Sequence, residues 1–99
     1  MYNEGGQKAR KTKEETKMWH EGTIGSPIGR KDTQVAHFWV KTSEEADETY
    51  GINGGKIIKM QIKIDGKTVV NYDRGWDIEP DENDEMILIA YSILLNDYN

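Results

Sequence analysis

From Lys56 to Ile64 apolar and polar residues alternate: Ile58, Met60, Ile62 and Ile64 interleave with Lys59, Gln61 and Lys63. Period two is the repeat of a strand with one face in a core and the other solvated, as in an antiparallel sheet. Asp65-Gly66 is a tight-turn signal, and Lys67 to Arg74 supplies the return strand. A three-residue loop with Gly66 as a bulge pairs Ile62 with Thr68, Met60 with Val70 and Ile58 with Tyr72. A two-residue loop instead turns Asn71 and Asp73 toward the core, where each needs a buried partner, so the first register is preferred.

Upstream, Lys17 to Gly25 and Thr33 to Thr42 read as two further strands, the second rich in β-branched and aromatic residues. Residues 26–32, with Pro27 and Gly29, form the reversal between them. A loop centred near residues 28–30 makes His20 and His37 cross-strand neighbours. Ser43 to Thr49 is an acidic loop or single helical turn. Tyr50-Gly51-Ile52-Asn53-Gly54-Gly55 follows, a glycine density that marks a turn or a close backbone approach. It lacks the lysine-serine/threonine end of a phosphate loop and leads into a strand, so a structural turn is expected.

Beyond residues 71–77, Pro80 suits a first helical position, and Asp81, Glu82, Asp84 and Glu85 suit the positive end of the helix dipole. Met86 to Leu95 is apolar nearly all round, with Ile87, Tyr91, Leu94 and Tyr98 on one stripe. The pattern predicts an α+β domain: a four-stranded antiparallel sheet (ββββα) with one C-terminal helix packed on a face.

Residues 1–16 have no apolar periodicity and are expected to form a disordered tail, leaving residues 17–99 as a single domain. Charge sharpens this division. Residues 1–17 carry five basic and three acidic side chains, whereas residues 18–99 carry eight and fifteen, a net of −7 within a chain of net charge −5. Such a domain is repelled by nucleic acid, whose affinity comes from phosphate neutralisation, and is attracted to a basic protein surface. No direct nucleic-acid binding is expected. Without cysteine, a long apolar run or a signal-peptide pattern, the chain is expected to be soluble and cytoplasmic, with no membrane association.

Candidate chemistry is sparse. There is no thiol nucleophile, and Ser26, Ser43 and Ser92 lack a nucleophile-elbow context, so no enzyme activity and no catalytic residues are expected. No cofactor is expected either. The alternative to a binding role is a small zinc-stabilised domain in which His20 and His37 join a carboxylate such as Glu21, Asp32 or Asp47. A homo-oligomeric structural protein using the spare helix face (Leu88, Ile89, Ser92) is another, so a monomer or a weak homodimer is expected. The richest stretch is Asn71-Tyr72-Asp73-Arg74-Gly75-Trp76-Asp77. Arg74 can pair with Asp73 or Asp77 and pin a turn that Gly75 permits. Arg74 and Trp76 are also the residue types that dominate interface energetics. Exposure of Trp76 would favour that second role. Candidate partner-binding residues are therefore Arg74, Trp76, Asp73 and Asp77, steered by Glu44, Glu45, Asp47, Glu48, Asp81 and Glu82.

Three segments, Trp19-His-Glu-Gly22, Tyr50-Gly-Ile-Asn-Gly-Gly-Lys-Ile-Ile-Lys59 and Asn71-Tyr-Asp-Arg-Gly-Trp-Asp77, together with a helix after Pro80 ending in Asp97-Tyr-Asn99, carry a family resemblance. They resemble a family of small uncharacterised proteins of Firmicutes, their phages and mobile elements, over about residues 18–99. The resemblance implies a mobile-element context, in which compact acidic proteins occlude host defence proteins. An anti-CRISPR inhibitor of a Cas9-type nuclease, with its basic nucleic-acid channel, is one such case by analogy.

Overall fold

The computed structural model describes residues 19–25 and 34–99. The expected disordered tail at 1–16 and the reversal at 26–32 lie outside these residues. Five strands form one antiparallel sheet: β1 (Trp19–Gly25), β2 (Val35–Thr42), β3 (Ile57–Ile64), β4 (Lys67–Asp73) and β5 (Trp76–Ile78). Spatial order follows chain order, a plain meander. Among the described residues one helix, α1 (Glu85–Tyr98), packs on one face of the sheet. The expected α+β class and C-terminal helix are present, but the sheet has five strands rather than four. The additional strand is three residues long, too short to show a period.

The core lies between α1 and one sheet face. Ala36, Phe38, Val40, Met60, Ile62, Ile64, Val70 and Tyr72 meet Met86, Ile87, Ala90 and Leu94 there, all buried. Two bulges set which residues join them. Lys41 pairs with Lys59 and Thr42 with Ile57, so Ile58 is the additional residue on β3. The alternation seen in the sequence therefore breaks at its first member: Ile57 is fully buried, and Ile58 only half-buried.

The β3–β4 turn corrects the expected register. Ile64 pairs with Lys67 around a two-residue loop, with Asp65 (φ 55°) and Gly66 (φ 76°) both left-handed as a primed hairpin turn requires. Ile62 then pairs with Val70 and Met60 with Tyr72, because the register shifts after Lys63–Thr68 and leaves Val69 unmatched. The bulge has the effect that the longer loop would have had. It returns Val70 and Tyr72 to the core and leaves Asn71 and Asp73 on the other face.

Helix α1 starts at Glu85, five residues later than the Pro80 start expected. Asp84 is its N-cap, with Oδ1 accepting from the Ile87 amide at 3.2 Å. Residues 79–84 instead turn ahead of the helix, where the Asp81 side chain accepts from the Asn83 amide. Asp84→Ala is expected to cost about 1 kcal/mol in urea unfolding, the usual cost of an uncapped helix start. Among the described residues no helix is long and apolar enough to cross a membrane.

Candidate functional site

The 71–77 stretch is a tight connection between β4 and β5. Its left-handed residue is Arg74 (φ 56°) rather than Gly75, and the Asp73 amide donates to the Gly75 carbonyl at 2.9 Å. The Arg74 amide donates to the Ile58 carbonyl at 2.9 Å, which continues the β3–β4 ladder past its last paired residues. Of the two expected partners Arg74 takes Asp73: its Nε lies 3.5 Å from Asp73 Oδ1, a single exposed contact. Lys59 Nζ approaches the same oxygen at 3.9 Å. Asp77 is not an arginine partner here; it accepts from the Asn71 side-chain amide at 3.2 Å.

Trp76 packs on the core and is still partly exposed. Its ring meets Tyr72 edge-on at 4.8 Å and Tyr91 at 5.8 Å, closing the core at the β5 edge, yet it keeps 38% exposure. Burial pushes the Tyr91 phenol above its ordinary range, with Tyr72 and Glu79 adding to the shift.

The glycine-rich segment is a closed loop, and the side chains around it are structural. It contains a 3-10 turn at Ile52–Gly54. The Gly51 amide bonds the Asp47 carbonyl, and the Asp47 amide bonds the Gly55 carbonyl, each at 2.8 Å. A Cβ on Gly51 would stand 1.9 Å from the Gly55 carbonyl oxygen. The Asp47 carboxylate, expected to face a partner, accepts from the Thr49 and Tyr50 amides at 2.9 Å. The Tyr72 hydroxyl reaches across to the Tyr50 carbonyl at 2.9 Å. From the end of the helix, Asn99 grips the same loop: Oδ1 accepts from the Ile57 amide at 2.9 Å, and Nδ2 donates to the Ile52 carbonyl at 3.1 Å.

Glu44, Glu45 and Glu48 are exposed on the outside of that loop, and Asp77, Asp81 and Glu82 on the β5 side. The two histidines do not converge. Thr23, not His20, is opposite His37, and His20 pairs with Val40, which puts the histidines on opposite faces of the sheet. His20 stacks on Tyr98 at 4.4 Å with Nε2 3.4 Å from Thr42 Oγ1; His37 lies beside Trp39 at 6.4 Å. A joint His20–His37 zinc site is thereby lost. Among the described residues no group of three or more His, Asp or Glu side chains could hold a metal ion, and Asp32 lies outside them.

The face of the sheet opposite α1 is not legible as a site in the sequence. Registers place its side chains in rows: Trp19, Lys41, Lys59 and Asp73; then Glu21, Trp39, Gln61, Asn71 and Ile78; then Thr23, His37, Lys63 and Thr68. The Lys41 ammonium lies 5.6 Å from the Trp19 ring centre and that of Lys63 lies 6.0 Å from Trp39. An open groove of about 260 Å³ runs between Trp19 and Trp39 on one side and Asn71 and Asp73 on the other, floored by Lys59 and Gln61. The sequence signal for this face was the polar half of the β3 alternation and the two strand tryptophans. Only the register shows that they share a face.

The family model described as "Domain of unknown function (DUF7678)" matches residues 18–99, and the chain belongs to this family. No curated protein and no solved structure matches the chain significantly.

Proposed function

We propose that this member of the family is a non-enzymatic binding protein that docks onto a basic surface of another protein. The observation that supports the reading is the charge of the domain, −7 over residues 18–99, with Glu44, Glu45 and Glu48 exposed together on one rigidly hydrogen-bonded loop. Carboxylates held on an ordered loop lose little entropy when they meet cations, and their long-range field speeds encounter. Trp76 and Arg74, exposed at the turn where β4 meets β5, supply an aromatic and a cationic anchor.

Within that reading the concrete case is inhibition of a host defence protein, with a Cas9-type nuclease the example whose basic nucleic-acid channel an acidic domain would occupy. The test is a DNA-cleavage assay titrated with the full chain, beside a direct binding measurement. Cleavage is expected to fall as the protein is added. Glu44→Lys/Glu45→Lys/Glu48→Lys is expected to weaken binding at least about tenfold, mostly through the association rate. Binding that stays unchanged at about 0.5 M salt would count against the electrostatic reading.

A further inference from the structure

We propose that β1 pairs edge to edge with β1 of a second copy of this chain, joining two sheets into one. Spatial order follows chain order, so β1 and β5 are the edges of the sheet. The two are built differently. β5 has three residues, and its pairing with β4 is broken by a register shift, so it offers little backbone to another strand. β1 makes seven consecutive pairs with β2, from Trp19–Lys41 to Gly25–Val35, with no bulge. It carries neither lysine nor proline, and Glu21 is its one carboxylate. The devices that usually keep an edge from pairing are thus missing from β1, and among the described residues no strand lies beyond it.

The residues of β1 select a copy of themselves as the strand that completes the edge. Two copies of one edge strand meet antiparallel about a two-fold axis perpendicular to the sheet. Such an axis keeps each face on its own side, so it must pass through a residue paired with itself. Centred on Gly22, all seven residues pair: Trp19 with the partner's Gly25, His20 with the partner's Ile24, and Glu21 with the partner's Thr23. Centring on Glu21 would set two carboxylates directly opposite, which is destabilising. Centring on Thr23 would leave Trp19 beyond the end of the ladder. Only the Gly22 register uses the whole strand without a charge clash.

Side chains on both faces fit this register. Opposite α1, Trp19 is 47% exposed and Val35 42%. Val35 is paired with Gly25, where a Cβ would meet nothing within 4 Å. The partner's Trp19 lies over that bare backbone and reaches Val35, so two exposed apolar groups on each copy cover one another. On the α1 side, His20 stacks on Tyr98 and Ile24 packs against the core. Paired across the junction, they extend the buried layer. The centre is uncrowded, because Gly22 has no side chain and the Phe38 ring occupies its place. The net charge of −7 on residues 18–99 opposes the contact at long range, and salt screens that repulsion.

A contact of one strand pair is small and its dimer weak, so the test is sedimentation equilibrium of the full chain from about 10 µM to about 1 mM. A reversible dimer is expected, tighter at about 0.5 M salt than at about 0.05 M, the reverse of docking driven by opposite charge. Thr23→Glu sets a carboxylate against the partner's Glu21 twice over and is expected to weaken the dimer at least about fivefold. Glu21→Lys/Thr23→Glu turns both clashes into ion pairs and is expected to restore it to within about threefold of the unaltered chain. Trp19→Ser is expected to weaken it at least about fivefold. Circular dichroism confirms that each variant is folded; Trp19, Glu21 and Thr23 are all exposed. A chain that stays monomeric to about 1 mM overturns the proposal and leaves the edge to a strand of another protein. So does a dimer that weakens as salt is raised, which would mark charge-paired faces. A dimer indifferent to Thr23→Glu but dispersed by Ser92→Glu overturns it too, since the contact would then lie on α1.

Discussion

Gly51→Ala is expected to unfold the domain or to lower its melting temperature by about 15 °C or more. The added methyl would stand 1.9 Å from the Gly55 carbonyl oxygen and 2.7 Å from that of Asp47, both backbone atoms that cannot swing aside. These same two stretches of backbone are tied by the hydrogen bonds Asp47 N–H to Gly55 and Gly51 N–H to Asp47. Relief therefore means opening the loop, and with it the site where Ile52 enters the core at 1% exposure. A cost of about 4 kcal/mol or more belongs to the rare class of mutations that break a backbone-level constraint. A domain of this size has only about 5–15 kcal/mol in total, and about 4 °C of melting temperature is lost per kcal/mol. Gly75→Ala is the control: a Cβ there meets nothing within 4 Å, and its backbone is not left-handed. It is expected to change stability by less than about 0.5 kcal/mol. Thermal melts of the two variants decide the matter. Equal midpoints would show that the loop can open without consequence for the core.

The second large effect is expected at Asn99. Its side-chain amide bonds one donor and one acceptor of two residues that are themselves almost fully buried, Ile57 and Ile52. Asn99→Ala leaves both backbone groups without that partner, at about 1–3 kcal/mol each where water cannot replace it. A loss of about 2–4 kcal/mol is expected in urea unfolding. Asn99→Asp separates the two bonds: it keeps an acceptor for the Ile57 amide but sets a carboxylate oxygen against the Ile52 carbonyl, so it should recover little of the loss. Hydrogen exchange provides a local readout. The Ile57 amide should lose protection selectively, while amides in the centre of β3 keep theirs. Gly55 is coupled to the same site, because a Cβ there would lie 2.4 Å from the Asn99 amide. Gly55→Ala and Asn99→Ala should thus be strongly non-additive.

These two positions show what was legible in the sequence. Met60, Ile62 and Ile64 announced a half-buried strand through alternation alone, and the Asp65-Gly66 pair announced its hairpin. Both are local signals, carried by residues that act on their nearest neighbours. The bulges at Ile58 and Val69 were not legible, because a one-residue insertion changes which face later residues take without altering any local propensity. The three-residue β5 escaped for a related reason: Trp76-Asp77-Ile78 has too few positions to display a period. Helix entry moved from Pro80 to Asp84 because acidic residues suit both a cap and the turn before it.

The motif residues were legible as unusual but not in their purpose. Gly22 leaves room for the Phe38 ring, His20 stacks on Tyr98, and Asn99 holds the Tyr50–Gly55 loop. Much of these segments is thus the joinery between the helix end, the β1 edge and the glycine loop. The candidate partner-binding residues divide in the same way. Asp47 and Asp77 serve backbone and side-chain amides inside the domain, while Glu44, Glu45 and Glu48 face outward. The face opposite α1 was hidden by its dependence on register: Trp19 and Trp39 are twenty residues apart, and only pairing places them together.

Because every strand pairs with its neighbour in sequence, the sheet can assemble hairpin by hairpin, each step closing a short loop. The Asn99 bonds are different, spanning 42 and 47 residues to Ile57 and Ile52. They can form only once the end of α1 meets the glycine loop and the start of β3. Interactions that form after the rate-limiting step for folding hold back unfolding without hastening folding. The Asn99 clasp is thus expected to act as a latch in time, with Asn99→Ala speeding unfolding more than it slows folding.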